Sequence, residues 1–279
     1  VLFGSVLLYS LATLANGLVQ TPEQYRWLRF IAGLGLAGEL GASITLTSEL
    51  LPKSKRGLAA AIIATSGVFG TIAAYFVHEW SGENWRLCYF IGGFMGLGLL
   101  FLRMGVLDST LYQKSVQKEV PMGNLLMLIN NQQRFFKYLK CILIGLPVWY
   151  VIGVIISFSD EFARNFGIDG FSQPKALMLQ YTALVFGDMG AGFLSNRLQS
   201  RKKTLMVFYG IISFFLLLFF GLKGGGSATA MYAICMGLGV GSGISVVYIT
   251  MSAEQFGTNL RATAAISVPN LVRGFLPLI

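Results

Sequence analysis

The chain has 279 residues, of which 54% are hydrophobic and only 12% charged, with a formal net charge of +9 and a mean hydropathy of +0.66. A soluble domain carries about 25% charged residues, so this composition argues against a soluble enzyme and for a polytopic helical membrane protein. The surplus of base does not point to nucleic acid, because Lys and Arg concentrate in alternate connections between apolar segments, which is an orientation signal.

Nine apolar spans are predicted, at roughly 2–19, 27–50, 57–77, 86–104, 141–158, 175–195, 204–222, 229–250 and 262–279. Each is long enough to cross a hydrocarbon core of about 30 Å as a helix, the form that satisfies its own backbone in lipid. With the first span starting in the cytoplasm, the inside connections hold fourteen Lys and Arg against six outside, and Arg273 falls within a span. The three cysteines, Cys88, Cys141 and Cys235, lie in or at the edges of apolar segments and read as small core residues without a disulfide. One histidine, His78, and no clustered cysteines give a metal site little support.

The second span contains Gly33-Leu-Gly35-Leu-Ala-Gly38, which spells a dinucleotide-binding GxGxxG. A nucleotide loop needs a preceding strand and a polar turn. These glycines sit inside an apolar helix, so Gly33, Gly35, Gly38 and Gly41 read as close helix contacts. Glu39 lies near the middle of the same span, where a charge costs about 2.5–3.5 kcal/mol on insertion scales. Ser43 and Thr47 follow at i+4 and i+8, on one helix face. Two readings of Glu39 stand level: a proton or substrate group, or a structural partner for a neighbouring helix. Arg29, nearer the outer end, either meets substrate or snorkels.

The connection at 105–140 is long, polar and basic. Within it Leu125, Leu126, Leu128, Ile129, Phe135, Phe136 and Leu139 mix with Arg134, Lys137 and Lys140, the pattern of an amphipathic surface helix. It divides the chain into 1–104, the connection 105–140, and 141–279. In the fifth span Trp149 and Tyr150 follow Pro147, a hinge residue, and serve either stacking on a solute or packing. The sixth span carries Tyr181 and the buried acid Asp188, either a proton group or a brace for a basic residue. Ser242, Ser245 and Tyr248 in the eighth span are cavity candidates. In the ninth, Arg273 follows Pro269 and Asn270, and a buried arginine needs a partner, either a substrate anion or a protein acid.

The chain repeats itself at an offset of 205 residues. Glu49 precedes Arg56 by seven, as Glu254 precedes Arg261, and Gly237, Gly239, Gly241 and Gly243 echo the glycines of the second span. The sixth span ends in "GFLSNRLQSRKK", a polar basic turn whose counterpart would lie upstream of Val1. A chain of two six-span halves is therefore expected, of which two spans at the start and at least one at the end are not included in these residues.

This arrangement resembles the major facilitator superfamily over essentially the whole chain. "GFLSNRLQSRKK" is similar to the family's cytoplasmic motif Gly-x-x-x-Asp-Arg-x-Gly-Arg-Lys, departing at Asn196 and by one extra residue between Arg197 and Arg201. "RFIAGLGLAGE" resembles its Arg- and Gly-rich fourth helix, and Glu49 to Arg56-Gly57 the E-x6-R-G loop of sugar porters and metabolite–proton symporters. "WRLCYFIGGFMGLGLLFLRMGVLDST" resembles the sixth helix of those symporters, and "ATSGVFGTIAAYF" lacks the proline of the drug antiporters.

The resemblance implies an all-α fold of two pseudo-symmetric bundles, here family helices 3–6 and 7–11, in a multi-pass membrane protein (of the inner membrane if bacterial). It implies alternating access to a midplane site, with no catalysis, no cofactor, no nucleic acid, and a monomer in the lipid bilayer. A small polar metabolite, carboxylate-bearing or zwitterionic, would move with protons. Candidates are Glu39, Asp188, Arg273 and Arg29, with Ser43, Thr47, Trp149, Tyr150, Tyr181, Ser245, Tyr248 and Asn270 around the solute. Glu49, Arg56, Asn196, Arg197, Arg201, Glu254 and Arg261 would form the cytoplasmic gate. A sugar-type uniporter or symporter is the alternative, in which both acids are structural; a transporter-like receptor is the third.

Overall fold

The structure is a computed structural model that describes residues 2–50, 56–103 and 125–275. Among the described residues all regular structure is helical, in two compact units, Val1–Val120 and Pro121–Ile279. The first holds α1 (Leu2–Asn16), α2 (Pro22–Leu50), α3 (Arg56–Ser81) and α4 (Trp85–Arg103). The second holds α5 (Leu126–Ile129), α6 (Gln132–Tyr150) running into a π-helical segment (Val151–Ile156), α7 (Ser159–Phe166), α8 (Gln173–Leu198), α9 (Arg201–Gly221), α10 (Ala228–Ser242), α11 (Ser245–Glu254) and α12 (Thr258–Phe275). Five stretches among the described residues are long and apolar enough to cross a membrane: Trp85–Leu102, Gln132–Ile156, Gln173–Leu198, Arg201–Gly221 and Ala228–Ser252. The helices α2 and α3, with 29 and 26 residues, have the length of a span as well.

In the first unit, Thr21-Pro22-Glu23-Gln24 starts α2 as a capping box. The Thr21 hydroxyl accepts from Gln24 N at 3.3 Å, and the Gln24 side chain accepts from Gln20 N at 2.9 Å. Pro22 fills the first helical turn, where its missing N–H leaves no bond unmade. Gly35 lets α2 press on α1: a Cβ there would lie 2.8 Å from the Ser5 carbonyl oxygen. Gly33, expected to share this contact, faces open space among the described residues. On the other side of α1, Gly93 and Gly96 of α4 admit Leu14 and Ser10. The α1–α2 turn is tied to α4 by Arg86, whose guanidinium donates to the Val19 carbonyl at 2.8 Å.

The second unit differs from the sequence reading in two places. The fifth span was expected from 141 and a separate surface helix before it. Instead Asn131 caps a continuous helix from Gln132, its side chain accepting from Gln133 N and Arg134 N. Arg134, Lys137 and Lys140 thus ride on the first turns of the span itself, and only the four-residue α5 stands apart; residues 105–124 lie outside those described. The eighth span was expected unbroken over 229–250. It breaks at Gly243-Ile244 into α10 and α11.

The break sits where two backbones meet. On α8 the buried face is Ala176, Gln180, Ala183, Gly187 and Ala191, nearly all small. Against it lie Gly239, beside the Gln180 carbonyl, and Gly243, beside the Gly187 backbone and Asp188 N. Gly237 and Gly241 face the other way, onto Phe215 and Ile212 of α9. All four glycines of the eighth span therefore serve close packing, as their repeat pattern implied.

Pro147 distorts α6 because it brings no N–H and its ring crowds the carbonyl one turn back. Two tyrosines from other helices grip the turn before it. Tyr248 of α11 donates to the Cys141 carbonyl at 3.0 Å, and Tyr209 of α9 donates to the Ile144 carbonyl. Beyond the proline the helix widens to π geometry, and Ser157 Oγ closes onto the Ile152 carbonyl at 2.9 Å.

Candidate functional site

Three sequence candidates from three helices converge in the second unit. Arg273, one turn beyond Pro269 in α12, lays its guanidinium over the Trp149 ring of α6, 3.9 Å from the centroid. The Tyr181 hydroxyl of α8 is within electrostatic range of the same guanidinium. An aromatic face attracts an exposed cation, as Arg273 is here, by about 0.5–1 kcal/mol. It occupies one face of the planar group and leaves the edge N–H donors, which match a carboxylate in bidentate fashion. Among the described residues no carboxylate pairs with Arg273. Tyr181 lies eight residues into α8, about 12 Å along the helix, within hydrocarbon depth.

The neighbouring residue Gln180 is fully buried, and neither polar atom of its amide has a partner among the described residues. Asp188, two turns further along α8, is half-buried, with its backbone N beside Gly243. Tyr150 is exposed and Asn270 half-buried. Ser245 bonds weakly to the Ser242 carbonyl at 3.5 Å. Tyr248, expected to face a solute, is only 2% exposed with its hydroxyl on the Cys141 carbonyl, so it is a packing residue here. Tyr209 was not among the sequence candidates, although a tyrosine in an apolar span signals a buried hydroxyl that needs an acceptor.

In the first unit, Arg29 is exposed and lies 6.0 Å from the Tyr25 ring centroid. Tyr25 meets Tyr89 hydroxyl to hydroxyl at 3.1 Å, and Arg86 stacks 4.8 Å from the Trp85 ring centroid. These side chains, Arg29 apart, line a pocket of about 520 Å³ at the α1–α2 turn. The side chains of Glu39, Ser43, Thr47, Glu49, Arg56 and Arg261 lie outside those described. Glu39, Ser43 and Thr47 do fall within the helix α2, at spacings that share one face.

Of the expected gate residues whose side chains are described, two meet. Arg201 at the start of α9 holds Glu254 at the end of α11 through two bonds, of 2.7 and 2.6 Å. The pair lies wholly within the second unit, so it ties two adjacent helix ends. Arg197 and Asn196 are exposed, and the Asn196 carbonyl accepts from the Gln199 amide at 2.6 Å.

A family model described as Major Facilitator Superfamily matches residues 1–276. The chain is 25% identical to a cis,cis-muconate transport protein of Acinetobacter baylyi, over 93% of this chain and 64% of that protein. It is 26% identical to a niacin transporter of the same organism, over 94% of this chain and 66% of that protein. It is 27% identical to a gentisate transporter of Corynebacterium glutamicum, over 94% of this chain and 60% of that protein. The chain therefore spans less than two thirds of the length of these curated relatives. Among solved structures, a bacterial homolog of the human lysosomal transporter Spinster, in an inward-facing and unoccupied conformation, superposes with a TM-score of 0.59. At 18% identity, over 99% of this chain and 66% of that one, it shares the fold.

Proposed function

The chain belongs to the Major Facilitator Superfamily, and from that premise we propose that the whole protein is a secondary transporter moving a small organic acid by alternating access. The observation that carries the substrate class is the Arg273–Trp149 stack, a cation held by an aromatic face with its donor edge left over. The relatives' named cargoes, muconate, niacin and gentisate, are small planar carboxylates and support the same class. The carboxylate would take the guanidinium edge, with Tyr181 beside it.

Proton symport is the second part of the proposal. An anion moving into a negatively polarised cell needs a driving ion, and buried acids are the groups that carry protons in membranes. Glu39 and Asp188 are the residues proposed for it, with Arg29 as a further anion contact. The Arg201–Glu254 pair, with Arg197, Glu49, Arg56 and Arg261, is proposed to bias the cytoplasmic side between states.

The test uses the whole protein in proteoliposomes with a pH dye inside, offered matched acids and amides such as nicotinate and nicotinamide. Acids should be taken up with internal acidification and amides ignored. Arg273→Gln removes charge-assisted hydrogen bonds worth about 1.5–3 kcal/mol, so apparent acid affinity should fall roughly ten- to a hundredfold. Equal uptake of acid and amide, or an Arg273→Gln variant of unchanged affinity, would sink the carboxylate reading. Uptake without acidification would move the protein to the sugar-type uniporter mode.

A further inference from the structure

We propose that the cytoplasmic end of the second unit carries a binding site for an anionic phospholipid, in a groove between the first turns of α6 and α9 and the last turn of α11. The groove encloses about 470 Å³ and is rimmed by Lys137, Lys140 and Lys202. Deeper, its walls are apolar, with Ile144, Met206 and Met251. All three lysines are exposed, and among the described residues none is ion-paired. The acid near them, Glu254, already holds Arg201 through both oxygens. Among the described residues the rim is therefore an uncompensated cluster of positive charge.

The occupant follows from how charge and grease are arranged. Helices α6 and α9 start at this end and α11 stops at it, and it is the end that gathers the chain's basic excess. By the positive-inside rule it lies at the cytoplasmic surface. From Lys137 to Ile144, and from Lys202 to Tyr209, is about 10 Å of helix. A ligand there meets the three cations and the exposed Gln255, and a mainly apolar surface elsewhere. The Tyr209 hydroxyl presents no free donor, because it is bound to the Ile144 carbonyl. On the α9 side the groove opens past Met206, 64% exposed, on a helix that also displays Val207, Phe214 and Leu217. An exposed run of that kind on a spanning helix faces acyl chains. A soluble anion would use the rim and leave the apolar walls wet; a zwitterionic lipid would not match three lysines. A phosphatidylglycerol-like lipid, with its phosphate at the rim and an acyl chain along Met206, matches both. This site is independent of the cargo and would stand if the carboxylate reading failed.

The test is native mass spectrometry of the full chain in detergent, equilibrated with equal amounts of dioleoyl phosphatidylglycerol and dioleoyl phosphatidylethanolamine. Retained phosphatidylglycerol should exceed phosphatidylethanolamine at least tenfold. Each lysine near such a headgroup contributes about a fivefold factor, so K137Q/K140Q/K202Q should abolish the preference. A triple change among exposed basic residues of the opposite end, R164Q/K175Q/K223Q, should keep it. Should the lysine triple variant not fold, M206W fills the groove from an exposed position and should reduce lipid retention by a similar factor. Equal retention of the two lipids, a preference that survives K137Q/K140Q/K202Q, phosphatidylglycerol retention unchanged by M206W, or displacement by an equal concentration of soluble glycerol phosphate would each overturn the assignment.

Discussion

Gly145→Ala adds one methyl group at the point where two helices lock. Gly145 is buried in α6, and the added carbon would land on the Tyr248 hydroxyl, with the ring Cζ 2.6 Å and Cε1 3.1 Å away. Tyr248 has little room to retreat: it is 2% exposed, and its hydroxyl is tied to the Cys141 carbonyl at 3.0 Å. Overpacking of this kind costs about 1–3 kcal/mol, and displacing the hydroxyl forfeits a buried hydrogen bond of about 1 kcal/mol. Replacing glycine by alanine in a helix returns roughly 0.5–1 kcal/mol. A net loss of about 1–3 kcal/mol is expected. Gly210→Ala on α9 is the matched control, because nothing lies within 4 Å of its added carbon; it should be neutral or slightly stabilising. Thermal unfolding of both variants in detergent, followed by tryptophan fluorescence, reads the difference. If Gly145→Ala melts at or above the parent temperature, alongside Gly210→Ala, the clamp on α6 is not there.

Other perturbations should be milder. Arg201→Ala breaks a bidentate pair whose side chains are 37% and 45% exposed, so screening holds its effect to about 0.5–1 kcal/mol. A melting-temperature gap between parent and variant that does not shrink in high salt would contradict that account. Gln199 closes α8 with φ of 46°, a left-handed conformation that costs a non-glycine residue about 1 kcal/mol. Gln199→Gly should therefore raise the unfolding midpoint slightly, and a fall would mean that the Gln199–Asn196 bond outweighs the strain.

Much of the architecture is legible in the residues because membranes impose few solutions. Length and hydropathy locate the helices, and the repeated glycines of 237–243 announce a face that must come close to another backbone. Individual clues also nominated Arg273, Trp149 and Tyr181: a buried charge, an aromatic after a proline, a tyrosine in an apolar run. Their meeting was not legible, since it depends on how α6, α8 and α12 turn against one another. The break at Gly243-Ile244 was hidden for a similar reason. The glycines of 239–243 weaken a helix locally, but which of them lies at the break depends on the backbone contact of Gly243 with Gly187, and sequence does not show that contact. Pro147 signalled a distortion of α6 but not that the turns beyond it would widen. Lys202 was read as an orientation charge, and Lys137 and Lys140 also as part of an amphipathic surface helix, because sequence shows their side of the membrane and not the apolar groove between them.

The widened turns of Val151–Ile156 also affect how this chain can be compared with its relatives. A π turn accommodates a residue more than the α-helical turn it replaces. Side chains before and after it are therefore about 100° out of phase with a uniform α-helical wheel. Trp149, ahead of the segment, and Ser157, behind it, cannot be placed on faces by counting 3.6 residues across the gap. A relative whose corresponding helix is α throughout should align with a single-residue gap here. Alignments that force the two through without one will shift Ser157, which closes the helix, and the start of α7 by one position.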